Sequence, residues 1–398
     1  MSKEQVKSYL EKAILIVVSM IIGSIITIII KDPNCNSNKK VVSNGSYSEF
    51  EPLYETYELL QKNYYKDVDS SKLVDGAING MMNALGDKHS MYFDKKSKEQ
   101  FDNELSGTYY GIGAEIQLNE DSTISIRKIF DGSPAEKSGL KVNDTILSVD
   151  GKSTKGKNAS DVANMLKSSS VKTAKILIKR DNNEKEYKVT KENITLFSVS
   201  SDVLKKDNKN IGYISVSIFG EKTYSQFSNA LNKLDNSNID SLVIDLRGNS
   251  GGYLTTVTNM LDLLIEKDKV IYKMQTQKGI TEFKTVNDSK KNYNIVVLID
   301  ENSASASEIM AAAMKEVYGA KLVGTKTYGK GTVQTTADLS NGSMIKYTIE
   351  KWLTPAGDNI DGKGIEPDYE VQLSENYTKS PSNDTDNQLQ EALNILNR

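Results

Sequence analysis

Two residue types on which much enzyme chemistry rests are almost missing from this chain. Histidine occurs once in 398 residues, at His89, so a Ser-His-Asp triad can exist only if that residue reaches the site from far upstream. Cysteine also occurs once, at Cys35, which excludes an intramolecular disulfide. A charge excess of either sign is absent as well. The 50 Lys and Arg residues nearly match the 53 Asp and Glu, and a net charge of −3 argues against nucleic acid as the main partner.

One long apolar run is present. Ala13–Ile30 is broken only by Ser19, Gly23, Ser24 and Thr27, and its 18 residues are just enough to span a bilayer. Lys3, Lys7 and Lys12 precede it, which places the N-terminus in the cytoplasm and the remainder outside. The following KDPNCNSNKK offers no small-x-small cleavage site, so an uncleaved single-pass anchor is preferred to a signal peptide. Residues 31–48 are rich in Asn, Ser and Lys and read as a tether. Cys35 there is a linker thiol, with a disulfide between two chains as the alternative.

The most informative stretch runs from Asn294 to Gln334. NIVVLID has strand length and composition and turns through Glu301, Asn302 and Ser303. A helix follows, with Ile309, Met310, Ala313, Met314 and Val317 on one face and a stop at Gly319. A serine at such a turn sits beside unpaired N–H groups and the positive end of a helix, where developing negative charge is stabilised. After His89, Lys330 in KTYGKGTVQ is the next strong candidate for the base. Free lysine titrates near 10.4, and lowering that by about 3 units takes roughly 4 kcal/mol of differential interaction. Burial and the helix end could supply it.

SASASEIMAAAMKE followed by VGTKTYGKGTVQ resembles the S41 family of C-terminal processing peptidases. The resemblance implies Ser305 as nucleophile, Lys330 as base, and Gln334 as the residue that hydrogen-bonds the lysine. It implies one oxyanion donor at the N–H of Ala306, and supporting roles for Glu308 and Thr327. SLVIDLRGNSGGYL is similar to the family's DLRxNPGG motif, with Ser250 in place of proline. Gly251 and Gly252 then supply the second oxyanion donor, their lack of side chains allowing close approach to a carbonyl. LGDKHSMYF is similar to a family segment that lies away from the chemistry, so His89 is expected to be a satisfied structural histidine.

The implied architecture is α+β and multidomain. Residues 1–30 are cytoplasmic tip and transmembrane helix, 31–48 linker, and 49–105 a helical region with stripes such as Leu53, Tyr57, Leu60 and Tyr64. Residues 106–194 are mostly short strands and resemble a PDZ domain, through YYGIGAEI and GSPAEKSGLKVNDTILSVDG. Its peptide-binding loop is Gly111, Ile112, Gly113 and Ala114, which would capture a terminal carboxylate as the peptide adds as a strand. Arg180 matches an arginine that in some relatives links PDZ occupancy to the active state. Residues 195–375 alternate strands and helices, an α/β peptidase core of the ClpP/crotonase type, and 376–398 form a tail with a short helix.

The function implied is a bacterial, membrane-anchored, extracytoplasmic serine endopeptidase acting on polypeptides with accessible C-termini. It requires neither metal nor cofactor, and the family allows a homodimer. Two rivals remain. GTKTYGK satisfies most of a phosphate-binding pattern, but Gly331 stands where Ser or Thr is needed and a helix should follow. The other rival is a catalytically inactive PDZ adaptor, against which stands the presence of Ser305, Lys330, Gln334 and both glycines.

Overall fold

The computed structural model describes residues 47–167, 172–288 and 291–398. The expected anchor Ala13–Ile30, Cys35 and most of the tether lie outside them; among the described residues no helix is long and apolar enough to cross a membrane. The chain divides into two units, Met1–Val74 and Asp75–Arg398. In the first, α1 (Glu51–Asn63) carries Pro52 in its first turn, where a missing N–H breaks no helical bond, and buries no residue. Its stripe of Leu53, Leu60 and Tyr64 is exposed. Helix α2 (Ser70–Ala84) begins there and runs into the second unit.

After a turn through residues 85–90 come β1 (Met91–Phe93) and α3 (Lys95–Ser106). Asp94 caps α3 by accepting the Ser97 N–H at 2.7 Å. A strand-rich module follows: β2 (Thr108–Gly111), β3 (Ala114–Leu118), β4 (Ile124–Ile129), α4 (Pro134–Lys137), β5 (Thr145–Val149), β6 (Lys152–Ser153), α5 (Ala159–Lys167), β7 (Thr173–Arg180), β8 (Asn183–Thr190) and β9 (Glu192–Thr195). β2 and β9 pair antiparallel, so the chain enters and leaves the module side by side. The remaining strands form one sheet in the order β3-β4-β5-β7-β8, with β6 on β5. Ile124, Ile126, Ile146, Ile176 and Ile178 alternate inward from these strands and pack with Val162 and Leu166 of α5.

The last part of the chain contains β10 (Val199–Lys206), β11 (Lys209–Val216), α6 (Thr223–Asn236), β12 (Ser241–Asp245), α7 (Leu254–Leu261), β13 (Val270–Thr276), β14 (Gly279–Lys284), β15 (Asn294–Ile299) and α8 (Ala306–Ala313). Next are β16 (Lys321–Gly324), β17 (Thr332–Asp338), β18 (Met344–Leu353), β19 (Tyr369–Glu370), α9 (Glu375–Lys379) and α10 (Asn387–Asn397). Six of these strands make a sheet ordered β10-β11-β12-β15-β16-β19, parallel from β11 to β19. Both faces are covered, which explains the unbroken apolar runs of β12 and β15. Ile295, Val297 and Ile299 point toward α6, α7 and α8, whereas Val296 and Leu298 meet Leu389, Ala392, Leu393 and Leu396 of α10. The C-terminal helix therefore docks on the core. Strands β1, β18, β13, β14 and β17 form a second, antiparallel sheet.

Phe227 is fully buried in the cluster formed by α6, α7 and α8 against the parallel sheet. Phe227→Ala should cost about 3–5 kcal/mol in urea unfolding followed by Trp352 fluorescence; a loss below about 1 kcal/mol would contradict this packing.

Candidate active site

Three adjacent parallel strands, β12, β15 and β16, end on one side of the sheet, and the turn after each carries site residues. Ligands bind at such carboxyl ends in open α/β sheets. After β12 comes Gly248–Gly252, after β15 comes Ser305, and after β16 comes the loop to Lys330. The chain beyond Lys330 continues as strand β17, not as a helix, so the phosphate-binding rival lacks its second half.

Ser305 has φ 56° and ψ −113°, a conformation that a side-chain-bearing residue holds only under external restraint. Such strain costs on the order of 1–3 kcal/mol. The restraint is Glu308, which is fully buried. Its carboxylate accepts the Ser305 N–H at 2.8 Å and the Lys330 N–H at 2.8 Å through Oε2. Through Oε1 it accepts the Thr327 hydroxyl at 2.6 Å and the Gly329 N–H at 2.7 Å. Four donors from two turns thus converge on one carboxylate. Thr327 Oγ1 in turn accepts the Ile365 N–H at 2.7 Å, tying in the closing GDNIDGKGIEPDYEV segment.

The glycine turn lies against the serine. A β-carbon on Gly251 would sit 2.9 Å from Ser305 Cβ and 3.2 Å from the Ala306 nitrogen. The two expected oxyanion glycines differ, however. The Gly251 N–H is spent on Asn249 Oδ1 at 2.9 Å. Gly252 is an exposed residue and Ala306, at the start of α8, a buried one; among the described residues neither N–H has a hydrogen-bond acceptor. Asn249, which the sequence reading missed, is the organiser: its carbonyl accepts the Ala304 N–H at 3.0 Å and the Ser307 hydroxyl at 2.8 Å.

Lys330 is largely withdrawn from water, and burial, with the Lys346 ammonium adding to it, pushes its amine down to about 8. Glu308 and Asp87 pull the other way. At pH 7 the neutral fraction rises from roughly 0.03 % to roughly 10 %. Its carbonyl is held by the indole N–H of the buried Trp352 at 2.8 Å. Among the described residues, no hydrogen bond joins Lys330 Nζ to Ser305 Oγ or to Gln334. The Gln334 amide donates instead to Thr332 Oγ1 at 2.9 Å and Thr348 Oγ1 at 3.2 Å.

The expectation for His89 needs correction on two counts. Its segment is not remote: the ring stands edge-on to Tyr328, centroids 6.4 Å apart, in the lysine loop. Burial and the Lys330 charge hold it below the usual histidine range. Nor is it satisfied: among the described residues its buried Nε2 has no hydrogen-bond partner. The sequence could not show this, since the contact joins segments far apart in the chain.

In the strand-rich module a groove of about 460 Å³ runs between β3 and α5, with Gly111, Ile112, Ala114 and Leu166 in its lining. Gly113 is packed against Ser133 and shapes the loop from behind. Arg180 is not brought to this groove. Its guanidinium binds buried Asp144 at 2.6 and 2.7 Å and the Gly139 carbonyl at 3.0 Å. Among the described residues, no group of His, Cys, Asp and Glu is arranged to hold a metal ion.

Comparison with known proteins places this geometry. Residues 210–371 match the model of peptidase family S41, 103–179 that of the PDZ domain, and 27–97 that of the activating protease CtpB N-terminal domain. Carboxy-terminal processing protease CtpA of Bacillus subtilis is 35% identical over 382 residues, 96% of this chain and 81% of that protein. The chain belongs to peptidase family S41. It is a serine-type peptidase of the carboxy-terminal processing class. B. subtilis CtpB is 38% identical over 83% of this chain and 69% of its own length. A probable CtpA-like serine protease of Staphylococcus haemolyticus is 39% identical, and this chain spans 65% of its length. A putative S41 protease of Bacteroides fragilis shares the fold, with a TM-score of 0.55 at 14% identity over 86% of this chain and 96% of that one.

Glu308→Gln places an NH₂ group among donors that need an acceptor. It should destabilise the protein by about 2–3 kcal/mol, measured by thermal unfolding. It should also lower kcat by about a hundredfold, measured on a cleavable peptide. Unchanged kcat would contradict the role given to this carboxylate.

Proposed function

We propose that this S41 peptidase is a membrane-anchored, extracytoplasmic endopeptidase that captures polypeptide C-termini in its PDZ groove and cleaves the chain with a Ser305–Lys330 dyad. The observation that carries this reading is a half-buried lysine, brought down to about 8, on a loop clamped by Glu308 to the strained serine turn. The anchor is the apolar run Ala13–Ile30, with the basic residues before it setting its direction. A homodimer through the exposed stripe of α1 fits the same reading.

Neutral Lys330 takes the Ser305 proton as the hydroxyl attacks the scissile carbonyl. The oxyanion settles between the N–H groups of Gly252 and Ala306, preset by the backbone before the charge develops. The lysine returns the proton to the leaving amine, and water releases the acyl enzyme. Gln334 orients the amine with its carboxamide oxygen. Catalytic hydrogen bonds commonly tighten only in the substrate complex, and here substrate draws the amine onto Ser305.

The test uses the full chain in detergent with an unfolded substrate. Ser305→Ala should lower cleavage at least about a thousandfold, and Lys330→Ala likewise, with both variants folded. Because the base acts deprotonated, kcat of the parent should rise about tenfold per pH unit up to a midpoint near pH 8 and then level. Amidating the substrate's C-terminus should raise KM. Equal cleavage by parent and Ser305→Ala would leave the inactive adaptor as the reading.

A further inference from the structure

The turn 86–90 carries groups that the chemistry above does not use. Asp87 accepts three hydrogen bonds: from the His89 N–H at 2.9 Å, the Ser90 hydroxyl at 2.6 Å and the Thr348 hydroxyl at 2.6 Å. Ser90 Oγ accepts the Thr348 N–H at 3.1 Å, so the turn grips β18 twice. Burial raises the Asp87 carboxyl, but the two hydroxyls and the N–H outweigh it and bring it down to about 2. It is a fixed anion at every pH at which the peptidase works.

An anion sets the direction of a hydrogen-bond chain. A carboxylate can only accept, so the proton of Thr348 Oγ1 is committed to Asp87. The Thr348 oxygen can then only accept from its other neighbour, which is the Gln334 amide at 3.2 Å. An amide's two ends are distinguished by such a network alone. The NH₂ end of Gln334 is thereby assigned to Thr348 and Thr332, and the oxygen is the end left over. Among the described residues no donor reaches that oxygen, and Lys330 lies in the loop that leads into β17, within reach of the Asp87 charge.

We propose that Asp87 is a positioning residue for the lysine base: through Thr348 it locks the Gln334 amide with its oxygen free, ready to receive a hydrogen bond from the Lys330 amine. The proposal rests on the reading of Lys330 as base. With the amide reversed, an NH₂ group would confront the amine and turn it away from Ser305. Asp87 also acts by charge. The charged groups around Lys330 are Glu308 from α8 and Asp87 from the turn, which favour the ammonium, and Lys346 from β18, which opposes it. His89 feels both charges and is held below its usual range, by burial first and by Lys330 next.

Two variants separate the effects in the full chain. Asp87→Asn frees the chain's direction and removes the charge. Its kcat plateau should fall between about tenfold and a hundredfold with KM little changed, while the midpoint of its pH profile moves below that of the parent. Thr348→Val cuts the chain but keeps the charge, and should lower the plateau comparably; Thr348→Ser should restore it. A plateau within about twofold of the parent in both Asp87→Asn and Thr348→Val overturns the proposal. So does an Asp87→Asn profile whose midpoint stays put or rises, because that is the mark of a purely structural carboxylate. If Asp87→Asn does not fold by circular dichroism, the Thr348 pair decides alone. A parent profile with no limb near pH 8 would instead overturn the lysine reading itself.

Discussion

One buried carboxylate holds this site together. Glu308 lies on the first turn of α8 and receives donors from the serine turn and from the lysine loop, 22 positions further along the chain. An anion so enclosed is expensive to leave unpaired, so each donor that withdraws raises the cost for the rest. The unfavourable backbone of Ser305 is sustained by this arrangement. Ser305 and Lys330 are thereby tied to each other through their main chains.

The electrostatics of Lys330 follow from the same enclosure. Burial, with the Lys346 charge adding to it, disfavours its charged form, and Glu308 and Asp87 keep the effect moderate. A lysine driven far lower would be a weaker base; one left exposed would stay protonated. At about 8 a lysine is partly neutral near neutral pH and still keeps much of its basicity. Asn249 sets the glycine turn against the serine, and among the described residues the Gly252 N–H has no acceptor.

Much of this was legible in the sequence because it is local. The strand NIVVLID, the helix after Ser305 and the strand β17 after Lys330 each follow from periodicity and composition. What escaped was set by tertiary contact. Thr348 meets Ser90 and Asp87 across 258 and 261 positions, and no spacing rule anticipates that pairing. For the same reason His89 passed as remote. Gly251 and Gly252 look alike in sequence, and only the Asn249 side chain distinguishes their N–H groups. The five residues Met314–Tyr318 continue α8 as a wider π-type turn before Gly319, a change that apolar spacing does not register.

The central claim is that Ser305 is activated by an uncharged Lys330 held beside it. Labelling with a fluorophosphonate, followed by intact mass and peptide mapping across pH, tests it without depending on substrate choice. The account predicts a single adduct at Ser305, formed at a rate that climbs with pH to a midpoint near 8, and almost none in Lys330→Met. An adduct on another residue, or equal labelling of Lys330→Met, would contradict it.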